Sequence, residues 1–166
     1  MVNWKGDLER GQKWENVARI ILESLGFRYV KRGYDSEWDI KMTYNNQPAT
    51  FEIKTDFYNN QYMVIEYECN SKPSGISISK AKFWCFIFPQ EWKMWMIRTR
   101  KLKILSQYGE EIAGGDYGLS KMYRFRKLDI ITNFTVVQYR HIILSFQIKK
   151  AGSQDLPSFI IKEMGD

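Results

Sequence analysis

The sequence contains one histidine, His141, and two cysteines, Cys69 and Cys85. A single histidine excludes catalytic schemes that need two from one chain, such as the zinc proteases with a His-Glu-x-x-His helix. Two isolated cysteines are too few for a metal knuckle or a disulfide framework, so we interpret them as small buried hydrophobic residues. No Gly-x-Ser-x-Gly segment is present either, which excludes the nucleophile elbow of many serine hydrolases.

Long apolar runs are also missing. No run approaches the roughly 18 to 20 apolar residues that span a membrane, and the opening stretch "MVNWKGDLERGQKW" lacks the apolar segment of a signal peptide. The composition, 44% hydrophobic and 16% aromatic, is that of a folded domain. We therefore expect a single domain over residues 1–166, cytoplasmic and without a membrane partner.

Positive charge is concentrated in the second part of the chain. Residues 1–70 hold 9 Lys/Arg and 11 Asp/Glu, a net charge of −2, whereas residues 71–166 hold 16 and 8, a net charge of +8. A basic surplus of this kind indicates a polyanionic partner. The acidic surplus in the first part is what a metal site needs.

The segment 11–25 has apolar residues at helical spacing and is followed by Gly26, so we predict a helix that carries Glu15. "FRYVKRG", "WDIKMTY", "ATFEIKTDF", "QYMVIEYEC", "FWCFIFP" and "WKMWMIRT" read as strands. A short helix capped by Ser77 or Ser79 is expected to precede "FWCFIFP", and residues 100–111 to form a basic amphipathic helix.

Two of these strands carry the most informative pattern. If Asn45 and Asn46 form a two-residue turn, the strands pair so that Asp39 lies directly opposite Glu52, at a closely spaced position without ladder hydrogen bonds. Like charges opposite one another destabilise a sheet. Lys54 lies on the same face as Glu52 because side chains alternate along a strand. The pattern predicts that Lys54, a divalent cation, or both compensate the two carboxylates.

The order Glu15, Asp39, Glu52-x-Lys54 on helix, strand and strand resembles the PD-(D/E)XK nuclease superfamily, and within it the Holliday-junction resolvase-like enzymes and related phage endonucleases. The resemblance covers residues 11–88, with "GQKWE", "LGFRYVKR", "DSEWDI", "FEIK" and "SGISISKAKFW" in the order that such enzymes use. One departure is that Trp38, not proline, precedes Asp39. Residues 89–166 form a basic C-terminal part to which the resemblance does not extend.

The resemblance implies an α/β fold with a restriction-endonuclease-like core, in which a central mixed sheet has the first helix on one face and later helices on the other. It implies an Mg²⁺-dependent endonuclease, with Mn²⁺ able to substitute and no small-molecule cofactor. Asp39, Glu52, the Ile53 carbonyl and Glu15 would hold the metal, whose preferred ligands are oxygens. Lys54 would orient or help deprotonate the attacking water. A homodimer acting on junction or branched DNA follows, in the host cytoplasm if a phage encodes the chain.

Basic residues outside the motif are candidates for contact with phosphates. They are Lys80, Arg98, Arg100, Lys101, Lys103, Arg124, Arg126 and Lys127. Glu66 and Glu68 lie on a neighbouring strand, where at most one should face the site. Two other readings stay open: a sequence-specific restriction or homing-type endonuclease, and a nucleic-acid-binding protein whose carboxylates only stabilise the fold.

Overall fold

The chain has an α/β fold, which a computed structural model describes for residues 4–33, 37–58, 60–115 and 118–150. The α-helices are α1 (Trp4–Ser24), α2 (Thr99–Ser106), α3 (Lys127–Ile130) and α4 (Arg140–Lys150). The strands are β1 (Arg28–Arg32), β2 (Ile40–Tyr44), β3 (Gln47–Thr55), β4 (Tyr62–Cys69), β5 (Lys72–Pro73), β6 (Phe83–Phe88), β7 (Lys93–Arg98), β8 (Glu110–Gly114), β9 (Ser120–Arg126) and β10 (Thr135–Gln138). None of the helices in these ranges is long and apolar enough to cross a membrane.

A mixed sheet of six strands carries the predicted hairpin, in the order β1-β2-β3-β6-β7-β10. The central pair, β3 and β6, is parallel, and the other neighbours are antiparallel. The expectation of a central mixed sheet is therefore confirmed. A parallel pair needs a crossover connection, usually a helix. Here the connection contains strands β4 and β5 and a 3₁₀ turn, Gly75–Ser77.

The predicted hairpin register is confirmed. Tyr44 pairs with Gln47 and Met42 with Ala49. The turn residues Asn45 and Asn46 have φ values of 49° and 62°, the left-handed conformation that a type I′ turn requires and that asparagine tolerates. The turn therefore fixes the register as far as the last pair, Ile40 with Phe51. The predicted pairing of Asp39 with Glu52 is not formed, because Asp39 lies just before β2 and its N–H donates to the Phe51 carbonyl.

Helix α1 packs on one face of this sheet. Its buried residues are Trp14, Val17, Ala18, Ile21 and Leu22. They contact Phe51 and Ile53 of β3, whose side chains alternate with those of Glu52 and Lys54. The helix begins at Trp4 and not, as predicted, near Gly11. Gly11 therefore lies inside the helix, where nothing crowds it and where an exposed glycine costs only about 1 kcal/mol.

The predicted end of α1 is confirmed by a Schellman motif. Phe27 donates its N–H to Leu22 O over 3.1 Å, and Gly26 donates to Glu23 O over 3.0 Å. Gly26 has a φ of +94°, which favours glycine. This turn leads the chain directly into β1, the strand that brings Arg32 toward α1.

The expectation that later helices cover the opposite face is only partly right. Helix α4 packs beside α1 on the same face, with Tyr139 and Ile143 in the shared core. The opposite face carries α2 and a second sheet with the order β5-β4-β9-β8. Trp84 and Phe86 of β6 pack against this second layer. Glu52 and Lys54 point to this side, between the two sheets.

The short helix expected before β6 is replaced by the 3₁₀ turn Gly75–Ser77. Gly75 has a φ of +49°, and a Cβ there would lie 2.2 Å from the carbonyl oxygen of Glu66. The backbone passes β4 too closely for a regular helix to begin at this point. Lys80, which the expected helix would have placed near its N-terminus, lies in the connection between this turn and β6.

Candidate active site

Asp39 is held at the point where β2 begins. Its backbone N–H donates to Phe51 O over 2.9 Å, and its Oδ2 accepts the backbone N–H of Ile53 over 2.6 Å. In the hairpin register, the N–H and C=O of Ile53 both point toward the β2 edge. The Asp39 side chain therefore takes the place of the next ladder partner, beside the Ile53 carbonyl.

Glu52 and Lys54 lie on one face of β3, as predicted from the alternation. Lys54 Nζ is 2.8 Å from Glu52 Oε1. Glu52 is 12% exposed and Lys54 is 48% exposed. The Lys54 ammonium also lies 5.6 Å from the centre of the Trp84 ring. A mostly buried carboxylate is thus joined to an amine that reaches solvent.

Glu15 approaches the same carboxylates from α1, although the helix packs on the other face of the sheet. Burial and the neighbouring charge of Asp39 raise the pKa of Glu15, and the charge of Glu52 contributes in the same direction. Arg32 opposes this shift through an ion pair with Glu15 of 2.9 Å. Sequence reasoning missed Arg32, although the strand pattern placed it at the end of β1.

Burial also raises the pKa of both carboxyls on the hairpin. For Asp39, the hydrogen bond from Ile53 and the charge of Lys54 work against the rise. For Glu52, Lys54 works against it, and the charge of Asp39 adds to it. The three acids therefore share one electrostatic field in which a further positive charge is favourable.

The Lys54 amine is the cationic counterpart of this field. Burial alone would lower the pKa of Lys54, but the carboxylates of Glu52, Asp39 and Glu66 outweigh it and the pKa is raised. Lys54 therefore stays an ammonium at neutral pH in the metal-free protein. An ammonium suits electrostatic stabilisation of a phosphate better than proton abstraction.

The donor set fits a hard divalent cation only in part. Within the described ranges, no three Asp, Glu, His or Cys side chains stand close enough together to hold a metal ion. Mg²⁺ keeps several waters, however, and needs only one or two carboxylates. Asp39, Glu52 and the Ile53 carbonyl supply such a set, and Glu15 lies within electrostatic reach of it. To bind a metal ion, the Glu52 carboxylate has to exchange its ion pair with Lys54 for the metal.

The neighbouring acids Glu66 and Glu68 have different surroundings because a bulge interrupts β4 between them. Glu66 accepts hydrogen bonds from the hydroxyls of Ser74 and Ser120, and its charge acts on Lys54. Glu68 instead pairs with Lys121 over 2.7 Å. Glu66 thus belongs to the surroundings of the site, in agreement with the expectation that at most one of the pair faces it.

Three of the basic residues meet around one open depression of about 410 Å³. Lys80, Arg100 and Lys103 line it, and all three are exposed. Lys80 contacts the carboxylate of Glu37, and its backbone N–H donates to Glu37 O over 3.1 Å. These contacts tie the depression to the segment that leads into β2, since Glu37 lies two residues before Asp39 in the chain.

The other basic residues are dispersed. Arg98 packs its guanidinium 5.4 Å from the Phe83 ring, and Lys101 donates to Asn133 O. On β9, Arg124 pairs with Glu110 over 2.7 Å and Arg126 is exposed. These four residues do not line the depression.

Lys127 has a structural environment. It is 7% exposed, with its ammonium 3.3 Å from Glu91 and 3.6 Å from Asp56 and lying over the Phe88 ring. A buried lysine paired with two carboxylates connects the ends of β3 and β9 and is poorly placed to meet a phosphate. We therefore leave Lys127 out of the candidate nucleic-acid interface.

Comparison with protein-family models, with curated proteins and with solved structures finds no match to this chain.

Proposed function

We propose that this chain is a metal-dependent endonuclease that hydrolyses DNA, with branched or junction DNA as its preferred substrate. The observation that supports it most is the convergence of Asp39, Glu52 and Lys54 at one end of the β2–β3 hairpin. The resemblance of the same residues to the PD-(D/E)XK pattern agrees with this geometry. Hydrolysis of a phosphodiester needs an activated water and compensation of the charge on the phosphoryl oxygens.

Each residue has a role in this proposal. Asp39, Glu52 and the Ile53 carbonyl would hold Mg²⁺ or Mn²⁺, with Glu15 contributing directly or through water. The ion, when bound, supplies Lewis acidity and lowers the pKa of a bound water. Lys54 orients that water and offsets negative charge on the phosphate. Its raised pKa favours this role over that of a general base.

The basic depression supports nucleic acid as the partner. Lys80, Arg100 and Lys103 bring three basic side chains to one open surface, and phosphate contacts of this kind position a duplex without reading its sequence. We propose a homodimer as the active form, because a junction presents symmetry-related strands to a two-fold assembly.

A nucleic-acid-binding protein without catalytic activity is the second candidate. It is favoured by the two closed ion pairs, Glu52 with Lys54 and Glu15 with Arg32. In that case these pairs neutralise the carboxylates permanently and serve the fold alone.

Cleavage of four DNA forms tests the two candidates. Four-way junction, flap, linear duplex and single strand are incubated with Mg²⁺, Mn²⁺ or EDTA. We expect metal-dependent cleavage that is fastest on junction or flap. Preferential cleavage of linear duplex at defined sequences would favour a restriction-type enzyme. Tight binding without cleavage of any form would favour the binding protein.

A further inference from the structure

A second cavity is lined in part by Lys54 and not by Asp39. It has a volume of about 310 Å³ and opens between the two sheets. Its walls include the aromatic and apolar side chains of Phe57, Tyr58, Met63, Ile65, Trp84 and Phe86. The volume is near the lower end of the roughly 300 to 1,000 Å³ typical of small-ligand pockets, and a double helix cannot enter it.

The charged groups that line this aromatic cavity are Lys54, Asp56 and Glu66. Asp56 accepts the Tyr58 N–H over 2.8 Å and lies 3.6 Å from the Lys127 ammonium. Glu66 is oriented by the hydroxyls of Ser74 and Ser120. Two fixed carboxylates repel a phosphate but accept hydrogen bonds from ring N–H and amino groups. Flat walls and oriented acceptors together match the chemistry of a nucleobase.

Tyr58 lies at the rim of the aromatic cavity. It is 76% exposed, and its backbone is held by Asp56. Exposed aromatic side chains provide stacking surfaces for bases without selecting among them. Val64, 45% exposed, also lines the cavity.

We propose that the aromatic cavity receives one unstacked base of the bound strand, next to the phosphate that lies at Lys54. This inference rests on the proposed function, because Lys54 borders both the carboxylates and the cavity. A paired base is not free to enter, so the enzyme would favour DNA in which a nucleotide is unpaired or easily extruded. Branch points provide such nucleotides, which gives a physical reason for a preference for branched DNA.

Binding of abasic substrates to wild type and to Tyr58→Ala tests the proposal. A series of four-way junctions is made, each with one abasic site at a successive position from the branch point, and dissociation constants are measured in EDTA so that cleavage is not required. At one position we expect the abasic site and Tyr58→Ala each to weaken binding about tenfold, and the two together to weaken it little further.

Two other variants complete the test. Tyr108→Ala removes an equally prominent tyrosine, 80% exposed and outside the aromatic cavity, and its effect should be the same on every DNA of the series. Val64→Phe, which narrows the cavity, should abolish the difference between the intact and the abasic DNA at that position. The proposal would be overturned if the effects of Tyr58→Ala and of the abasic site on the dissociation constant were additive at every position. It would also be overturned if Val64→Phe kept the wild-type difference in affinity between intact and abasic DNA. If the abasic site and Tyr58→Ala are coupled in binding but no DNA is cleaved, the base-binding site is supported and the proposed hydrolase activity is ruled out.

Discussion

Asp39 accepts a 2.6 Å hydrogen bond from the backbone N–H of Ile53, the residue between Glu52 and Lys54. One side chain thereby joins the start of β2 to the centre of the candidate site. The turn at Asn45 and Asn46 sets the register of the hairpin, and the register brings these groups together. The same hydrogen bond gives Asp39 a structural role in addition to the catalytic role that we propose.

Asp39→Asn and Asp39→Ala should separate these two roles. Asparagine retains an oxygen that can accept the Ile53 N–H, whereas alanine leaves that N–H without a partner at a cost of about 1 to 3 kcal/mol. We expect urea denaturation to show a clear loss of stability for Asp39→Ala and a small change for Asp39→Asn, with metal-dependent cleavage lost in both. Equal stabilities of the two variants would show that the hydrogen bond contributes little.

The contribution of Glu15, Asp39 and Glu52 to the stability of the metal-free protein should decrease as the pH rises from acid toward neutral. Glu15, Asp39 and Glu52 have raised pKa values in the fold, so the folded state holds these protons to higher pH than the unfolded state. Their contribution is complete below the ordinary values of 4.5 for Glu and 3.8 for Asp, and is lost as pH rises through the raised values.

Glu52→Gln should reduce this pH dependence. Unfolding free energies are compared with those of wild type and of Glu68→Gln, which removes one negative charge from the second sheet. Between about pH 4 and pH 7 the Glu52→Gln curve is expected to fall less steeply than both others. Parallel curves for all three proteins would mean that burial of Glu52 is not coupled to folding.

Lys54→Ala should separate catalysis from DNA binding. The ammonium is placed to stabilise negative charge in the transition state, and loss of one such group lowers kcat by roughly 100- to 1,000-fold. Junction DNA should still bind, because the basic depression is unchanged. Cleavage rates under single-turnover conditions and dissociation constants are measured for the same preparation. A Lys54→Ala protein that cleaves at the wild-type rate would rule out this mechanism.

The basic depression should account for part of the salt dependence of binding. Arg100→Ala and Lys103→Ala are each expected to weaken DNA binding and to lower the slope of log Kd against log salt by about one. Lys121→Ala is the matched control, since Lys121 pairs with Glu68 on the second sheet. The depression is not a phosphate-binding surface if all three variants have the wild-type slope.

Local signals in the sequence were sufficient to predict the β2–β3 hairpin and the residues that share one of its faces. Asparagine itself tolerates the positive φ that the turn at Asn45 and Asn46 requires. Apolar and polar side chains alternate along β2 and β3 because one face of this hairpin is buried. For the same reason Glu52 and Lys54 fall on one face. The contribution of Arg32 to the field of Glu15 depends on a contact between residues 17 positions apart and was not predicted.

Of the second sheet only the strand β4 was predicted, and its pairing with β9 was not. The bulge in β4 between Glu66 and Glu68 breaks the alternation, and β9 lies between β4 and β8, so its place in the sheet depends on long-range pairing with both. Lys127 has the sequence context of a surface cation, and its burial depends on acids from two distant segments. The aromatic cavity is a product of this long-range packing.

Titration calorimetry with Mn²⁺ measures whether Asp39 and Glu52 hold a metal ion. Wild type and the control Glu68→Gln are expected to bind Mn²⁺ with the same affinity, and Asp39→Asn and Glu52→Gln to lose at least tenfold in affinity, since each removes one anionic ligand. The account would be contradicted if wild type bound no Mn²⁺ in the presence of junction DNA, or if Asp39→Asn and Glu52→Gln bound it as tightly as wild type.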